Sequence, residues 1–238
     1  MTTALEHGVR SVVDRAAATA SRLRRARAFH PAGVLLTGDL ELTARDAAPA
    51  VAGVLAGPTG ERFDVLGRLS KGAGTPGEWP DVLGLAVRLP GPDGTARPVD
   101  LLFSTTGNAP VLRCLPQARA DWRAGVYSST MPYRIAGSLC WFGAHPDPGP
   151  PIPSSTEALR LATAAAPLVF TLAVAAPLGP WLPIARLSLT AAPGEPGGEA
   201  FDSMRNAHPA LRPAPRWLAA LREQAYVGSR RGRGGPPA

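Results

Sequence analysis

The 238-residue chain has a single lysine, Lys71, and two cysteines, Cys114 and Cys140. Two cysteines outside any C-x-x-C pair make neither a disulfide framework nor a redox pair, and their plain reading is a reducing, cytoplasmic setting. Aromatic residues are 6% and charged residues 18%, against 26 glycines and 27 prolines. That balance excludes coiled coils, long-helix bundles and collagen, and points to many short elements joined by turns. The 45% of hydrophobic residues supplies a core and excludes a wholly disordered chain. Arginine carries nearly all of the positive charge behind the net +7. In an Ala-, Pro- and Arg-rich chain, coding bias accounts for that excess, and no nucleic-acid partner follows from it. The start, Met1 to His7, has neither the basic residues nor the apolar stretch of a secretory signal. Leu161 to Ile184 carries no charge and is long enough to cross a bilayer. Pro167, Pro177, Pro180 and Pro183 interrupt it, so it reads as a helix end followed by a core strand, with no membrane partner.

Glu6 to Arg27 has Val9, Val12, Val13, Ala16, Ala20 and Leu23 at helical spacing, which predicts an amphipathic helix ending in a solvated arginine run. From Gly33 the period changes. Val34 to Leu42, Phe63 to Leu69, Val82 to Leu89 and Val99 to Phe103 are short β-type runs between Gly-, Pro- and Asp-rich turns, the pattern of an antiparallel meander. Pro116 to Gly125 is expected to be a short helix around Trp122. Ser154-Ser155-Thr156-Glu157 caps a helix through Leu161. Leu168 to Val174 and Ile184 to Thr190 are two further strands, and Arg216 to Tyr226 is a last helix. Residues 1–228 are expected to form one domain, and the Arg/Gly/Pro tail 229–238 to be disordered.

Common catalytic signatures are missing: no H-E-x-x-H, no phosphate loop ending in Gly-Lys-Ser/Thr, no G-x-S-x-G elbow. His7, His30, His145 and His208 occur singly. Only His30 has informative neighbours, because Arg27-Ala28-Phe29-His30-Pro31-Ala32-Gly33 joins a helix to the first strand, a place for a general base.

These residues open a series of motifs that resembles the catalases. Arg27-x-x-His30-x-x-Gly33 is similar to the family motif whose Arg contacts a haem propionate and whose His is the distal base. Arg68-Leu69-Ser70 resembles Arg-Phe-Ser, in which the Arg reaches a propionate and the Ser hydroxyl holds the distal imidazole. Asp81-Val82-Leu83-Gly84-Leu85-Ala86-Val87-Arg88-Leu89 is similar to Asp-x-Arg-Gly-Phe-Ala-Val-Lys-Phe, with Leu83 replacing the Arg. Asp100-Leu101-Leu102 and Asn108-Ala109-Pro110-Val111 resemble Asp-Leu-Val-Gly-Asn-Asn-Thr-Pro with three extra residues. If Pro110 fixes the register, Gly107 falls at the family's distal Asn and Asn108 beside it takes over. Arg222-x-x-x-Tyr226 has the spacing of the proximal motif, in which a tyrosinate binds iron, but lacks its Asp-Thr sequel. The plainer reading of Tyr226 is a tyrosine of an ordinary amphipathic helix.

The resemblance implies an α+β fold: a predominantly antiparallel catalase-like β-barrel with an N-terminal helix and helical insertions. It implies haem b, with His30, Ser70 and Asn108 at the reacting centre, Arg27, Arg68 and Arg222 holding the cofactor, and Tyr226 on the iron. The small-molecule substrate would be hydrogen peroxide or an organic hydroperoxide, in peroxidase-like rather than fast dismutase chemistry. His30 and Ser70 are then expected to face one another on the inner side of the barrel, with Arg27 and Arg68 at its mouth. The alternatives are a haem-free degenerate barrel that binds a small anionic ligand, and a hydrolase such as a phosphodiesterase.

Overall fold

The structure is a computed structural model and describes residues 32–43, 58–89, 91, 97–192, 200–203 and 205–214. The expected N-terminal helix, the last helix and the 229–238 tail lie outside these residues. So do Arg27, His30, Arg222 and Tyr226.

Strands β1 (Ala32–Leu42), β2 (Arg62–Lys71), β3 (Leu83–Leu89) and β4 (Val99–Thr106) form the expected antiparallel meander. A 3-10 turn at Leu112–Cys114 follows, then β5 (Val126–Ser128), β6 (Tyr133–Ile135) and β7 (Ser138–Pro146). Helix α1 (Thr156–Ala165), strands β8 (Leu168–Ala175) and β9 (Leu182–Ala191), and the short β10 (Arg212–Pro213) complete the described chain. β1-β2-β3-β4-β5-β7-β8-β9 pair in that order and β9 pairs back onto β1, so eight antiparallel strands close on themselves. Closure leaves no open edge on the main sheet. β6 extends from β7, and β10 pairs with β6.

Alternation along each strand sends one set of side chains into the lumen. Val34, Leu36 and Leu40, Val65 and Leu69, Leu85 and Val87, Leu101 and Phe103 meet Tyr127, Phe142, Phe170 and Leu187 in one buried cluster. The lumen is therefore a packed core and not a cavity for substrate. Tyr127 closes onto Phe170 edge-to-face at 5.7 Å and donates its hydroxyl to the Trp122 carbonyl at 2.8 Å.

Two expectations change. Pro116 to Gly125 is not a helix: Asp81↔Arg119 and Asp121↔Pro153 make isolated bridges, and Asp121 Oδ1 accepts from the backbone N–H groups of Arg123 and Ile152. The aspartate side chain supplies a turn in place of helical bonds. Helical insertions are thus limited, among the described residues, to the capped helix α1 and the 3-10 turn. Ser155 caps α1 by accepting from Ala158 N at 3.1 Å, as the sequence predicts. The uncharged stretch from Leu161 divides into the end of α1, β8 and a turn. No described helix is long and apolar enough to cross a membrane.

Candidate functional site on the outer wall

Ser70 follows Leu69, which points into the lumen, so Ser70 lies on the outer wall. The expectation that it faces the inner side of the barrel is corrected: the lumen positions are taken by leucine, valine and aromatic side chains. On the outer wall the register aligns Gly33 with Ser70, Ser70 with Gly84, Gly84 with Ser104, Ser104 with Ser128, Ser128 with Gly143 and Gly143 with Ala173. A row made only of Gly, Ser and Ala thus crosses seven adjacent strands. Small residues in such a row let a flat group or another segment approach the backbone closely.

Arg68 shares the outer face with Ser70, two residues away, and its guanidinium lies over Gly33. A Cβ at Gly33 would fall 2.7 Å from Arg68 Nη2 and 2.7 Å from the Leu69 carbonyl oxygen. The sequence motifs ending in Gly33 and in Ser70 are brought together by the β1–β2 register. Asn108 is not brought in: it is exposed in the loop beyond β4. β4 runs without a break from Asp100 to Thr106, so counting from Asp100 puts Ser104, and not Gly107 or Asn108, in the row. Leu83 points into the lumen and is fully buried.

Three features escape the sequence reading. Asp100 has a fully buried carboxylate that accepts from Arg88 Nε at 2.7 Å, Arg88 Nη2 at 2.8 Å, Asp202 N at 2.7 Å and Asn206 Nδ2 at 2.9 Å. This bidentate pair straps Ala200, Asp202 and Asn206 across the outside of β3 and β4. Lys71 is buried at one mouth of the barrel and donates to the carbonyls of Gly77 and Trp79, both at 2.9 Å. Burial pulls its ammonium below its ordinary range, and the Asp81 charge partly restores it. Burial pushes the Asp81 carboxyl up, but hydrogen bonds from Ala73 N, Thr75 N and Thr75 Oγ1, with Lys71 nearby, outweigh that and hold it below the usual value. Third, Arg113 of the 3-10 turn is buried and reaches the β8–β9 turn. A Gly-rich loop between Lys71 and Asp81 was the available signal for the second feature.

The described wall suits one side of a flat, anionic cofactor: a small-residue floor flanked by a guanidinium and a serine. Neither of the two described tyrosines is placed to bind iron there. Tyr127 is in the lumen with its hydroxyl spent on Trp122, Tyr133 is buried against Phe142, and no three His, Cys, Asp or Glu side chains gather among the described residues.

These features define a closed, eight-stranded antiparallel barrel whose small-residue row lies on its outside. Solved catalases have the same fold. A fungal catalase superposes with a TM-score of 0.65 at 15% identity, covering 92% of this chain and 62% of that one. Catalase A from Saccharomyces cerevisiae gives 0.61 at 14% identity over 92% and 64%, and a bacterial catalase 0.59 at 15% over 87% and 57%. The chain therefore spans less than two thirds of the length of each of these catalases. No family model and no curated protein matches the sequence.

Proposed function

We propose that the outer wall seats haem b and that the protein acts on hydrogen peroxide or an organic hydroperoxide in peroxidase-like fashion, with an external small-molecule electron donor supplying the two electrons the peroxide takes up, and without a nucleic-acid partner. The observation that carries this reading is the row from Gly33 through Ser70, Gly84 and Ser104, with Arg68 laid over Gly33. Haem, when bound, supplies the iron at which the peroxide O–O bond is cleaved. His30, three residues before Gly33, takes a peroxide proton and returns it to the leaving oxygen. Ser70 holds the other imidazole nitrogen and so fixes the tautomer. Arg27 and Arg68 pair with the propionates, where a guanidinium fork matches a carboxylate. Tyr226 would hold the iron, and the charge of Arg222, four residues before it in the sequence, would favour tyrosinate. Ser104 stands where the family has its distal Asn, and a single hydroxyl polarises peroxide less than an amide. That difference is why peroxidase-like turnover is proposed over fast dismutation.

The test is a spectrum of protein produced with added haem, followed by turnover of peroxide. A Soret band with one iron per chain, and loss of turnover but not of haem in His30→Ala, is the expected result. No Soret band and no bound iron rejects the proposal. The second reading, a haem-free barrel that takes a small anionic ligand against Arg68, is favoured by Ser104 in the row and by Asn108 lying out in solvent. It predicts a colourless protein whose melting temperature rises with an added aromatic carboxylate and does not rise in Arg68→Gln. The hydrolase reading needs a metal cluster, and none gathers among the described residues.

A further inference from the structure

The row is covered differently at its two sides. At Gly143 the cover is the indole of Trp181, the residue that leads into β9. A Cβ on Gly143 would lie 2.7 Å from Trp181 Cζ3 and 2.9 Å from Cη2, so the ring rests directly on the glycine. Arg113, 1% exposed, holds this arrangement. Its guanidinium carbon is 4.6 Å from the Trp181 ring centre, and its Nη1 and Nη2 donate to the carbonyls of Ala176 and Gly179 at 2.9 and 3.0 Å. The His145 ring meets the indole edge-to-face at 5.3 Å.

The covered state leaves three nitrogens buried without a hydrogen-bond partner: Arg113 Nε, His145 Nε2 and Trp181 Nε1. A buried donor or acceptor that has lost water and found nothing in exchange disfavours the state that holds it. Three such atoms, on Trp181 and the two side chains packed against it, set the closed arrangement against an open one in which water reaches all of them. The turn that carries Trp181 is exposed, with Leu178 82% accessible, and it can move without breaking the β8–β9 ladder, which begins at Val174↔Leu182.

We propose that Trp181 is a displaceable plug: its indole occupies the Gly143 part of the outer-wall row, Arg113 latches it there, and release of the latch opens that part to a flat apolar ligand. The identity of the ligand rests on the haem-seat reading; the movement of the plug does not.

Two measurements separate them. Acrylamide quenching of Trp181, taken as the difference between wild-type protein and Trp181→Phe, reports whether the indole is shielded. Arg113→Gln is expected to raise that quenching constant about threefold or more as the open population grows. Binding of metal-free protoporphyrin IX, followed by absorbance, is expected to tighten about fivefold or more in Arg113→Gln and in Trp181→Ala. Unchanged quenching in Arg113→Gln overturns the latch. Porphyrin bound equally by wild type and both variants supports the seat and overturns the plug as an obstacle. Porphyrin bound by none of them overturns the seat and the ligand half of the proposal, and the quenching result then decides whether the plug moves. If Arg113→Gln does not fold, Arg113→Lys takes its place in both measurements, because it keeps the charge and loses one of the two carbonyl bonds.

Discussion

The inner and outer faces of the same strands follow different rules. On β2 the inward residues Val65 and Leu69 are packed, and the cross-strand partners of Leu69, Val34 and Leu85, are buried too. One residue away, Arg68 and Ser70 lie on a wall of glycine and serine where shape is set by what is left out. The lumen gains stability from every side chain, whereas on the wall their absence lets other groups lie against the backbone, and Ser70, Ser128 and Ala173 of the row are themselves buried. Near the wall are also three of the four buried side-chain polar atoms without partners among the described residues, those of Arg113, Trp181 and His145. Packing that stabilises and packing that leaves polar groups unpaired thus lie on opposite sides of one sheet. A site built on the second rests on a scaffold supplied by the first.

The contrast can be broken from either side. The largest effect is expected at the buried ion pair. Asp100→Ala leaves Arg88 without its carboxylate and frees Asp202 N and Asn206 from their acceptor. Arg88 keeps a fifth of its side chain in water, so the loss is expected at the low end of the range for such pairs, about 3 kcal/mol by urea unfolding. A double variant that replaces both Arg88 and Asp100 by apolar residues should recover part of it.

Leu69→Ala in the lumen is expected to cost about 2–4 kcal/mol by the same measurement, from lost transfer energy and a cavity. Ser70→Ala, its outward neighbour, is expected to cost less than about 1 kcal/mol while lowering peroxide turnover in haem-loaded protein. Equal losses of stability at both positions would erase the distinction between the faces.

Burial holds the His145 imidazole below its ordinary 6.5. The unfolded chain therefore takes up a proton near that pH which the folded protein resists. This contribution to stability is complete above 6.5 and declines as the pH falls through 6.5 toward the folded value. His145→Gln should flatten that part of a stability–pH curve. Asp81 acts lower: its folded value lies below 3.8, so its contribution persists above 3.8 and fades as pH falls toward the folded value. A curve that keeps its slope near pH 6 in His145→Gln would assign that slope to another group.

Legibility in the sequence follows the same division. β1 to β4, β8 and β9 are predicted within a few residues because strict inward alternation of Leu, Val and Phe leaves a period of two. β5 and β6 are three residues each, too short to show a period, and Gly143 interrupts β7. Trp122 made 116–125 resemble a helix, although its backbone is held by Ile152 and by the Asp121 side chain's turn. The catalase-like motifs named Arg68 and Ser70 together but not their face. Counting from Leu69 would have placed Ser70 outside, since a serine between two inward positions points the other way. Lys71 shares the inward face of Leu69, and its burial depends on carbonyls six and eight residues on, in the following loop, which no local pattern displays. Trp181 over Gly143 joins residues of two hairpins and is visible only in three dimensions.

The smallest expected effect is a gain. β6 and β7 are joined by the two-residue turn Ala136-Gly137, with Ile135↔Ser138 as the closing pair. Both turn residues have positive φ, 46° at Ala136 and 86° at Gly137. A right-twisted hairpin asks for this, and Asn-Gly meets it better than Ala-Gly because asparagine tolerates the left-handed region. The Ala136 side chain is exposed, so the larger amide would displace nothing, and the Arg134 Nη1 bond to the Gly137 carbonyl at 2.8 Å uses no side-chain atom of residue 136. Ala136→Asn is expected to stabilise the fold by about 0.5–1 kcal/mol, a rise in melting temperature of about 1–3 °C for a chain of this size. Since the turn is remote in sequence and register from Ser70 and Arg68, turnover and porphyrin affinity should not change. A variant that melts lower than wild type would mean that the turn does not hold Ala136 in the left-handed region, and the hairpin register between Ile135 and Ser138 would then have to be redrawn.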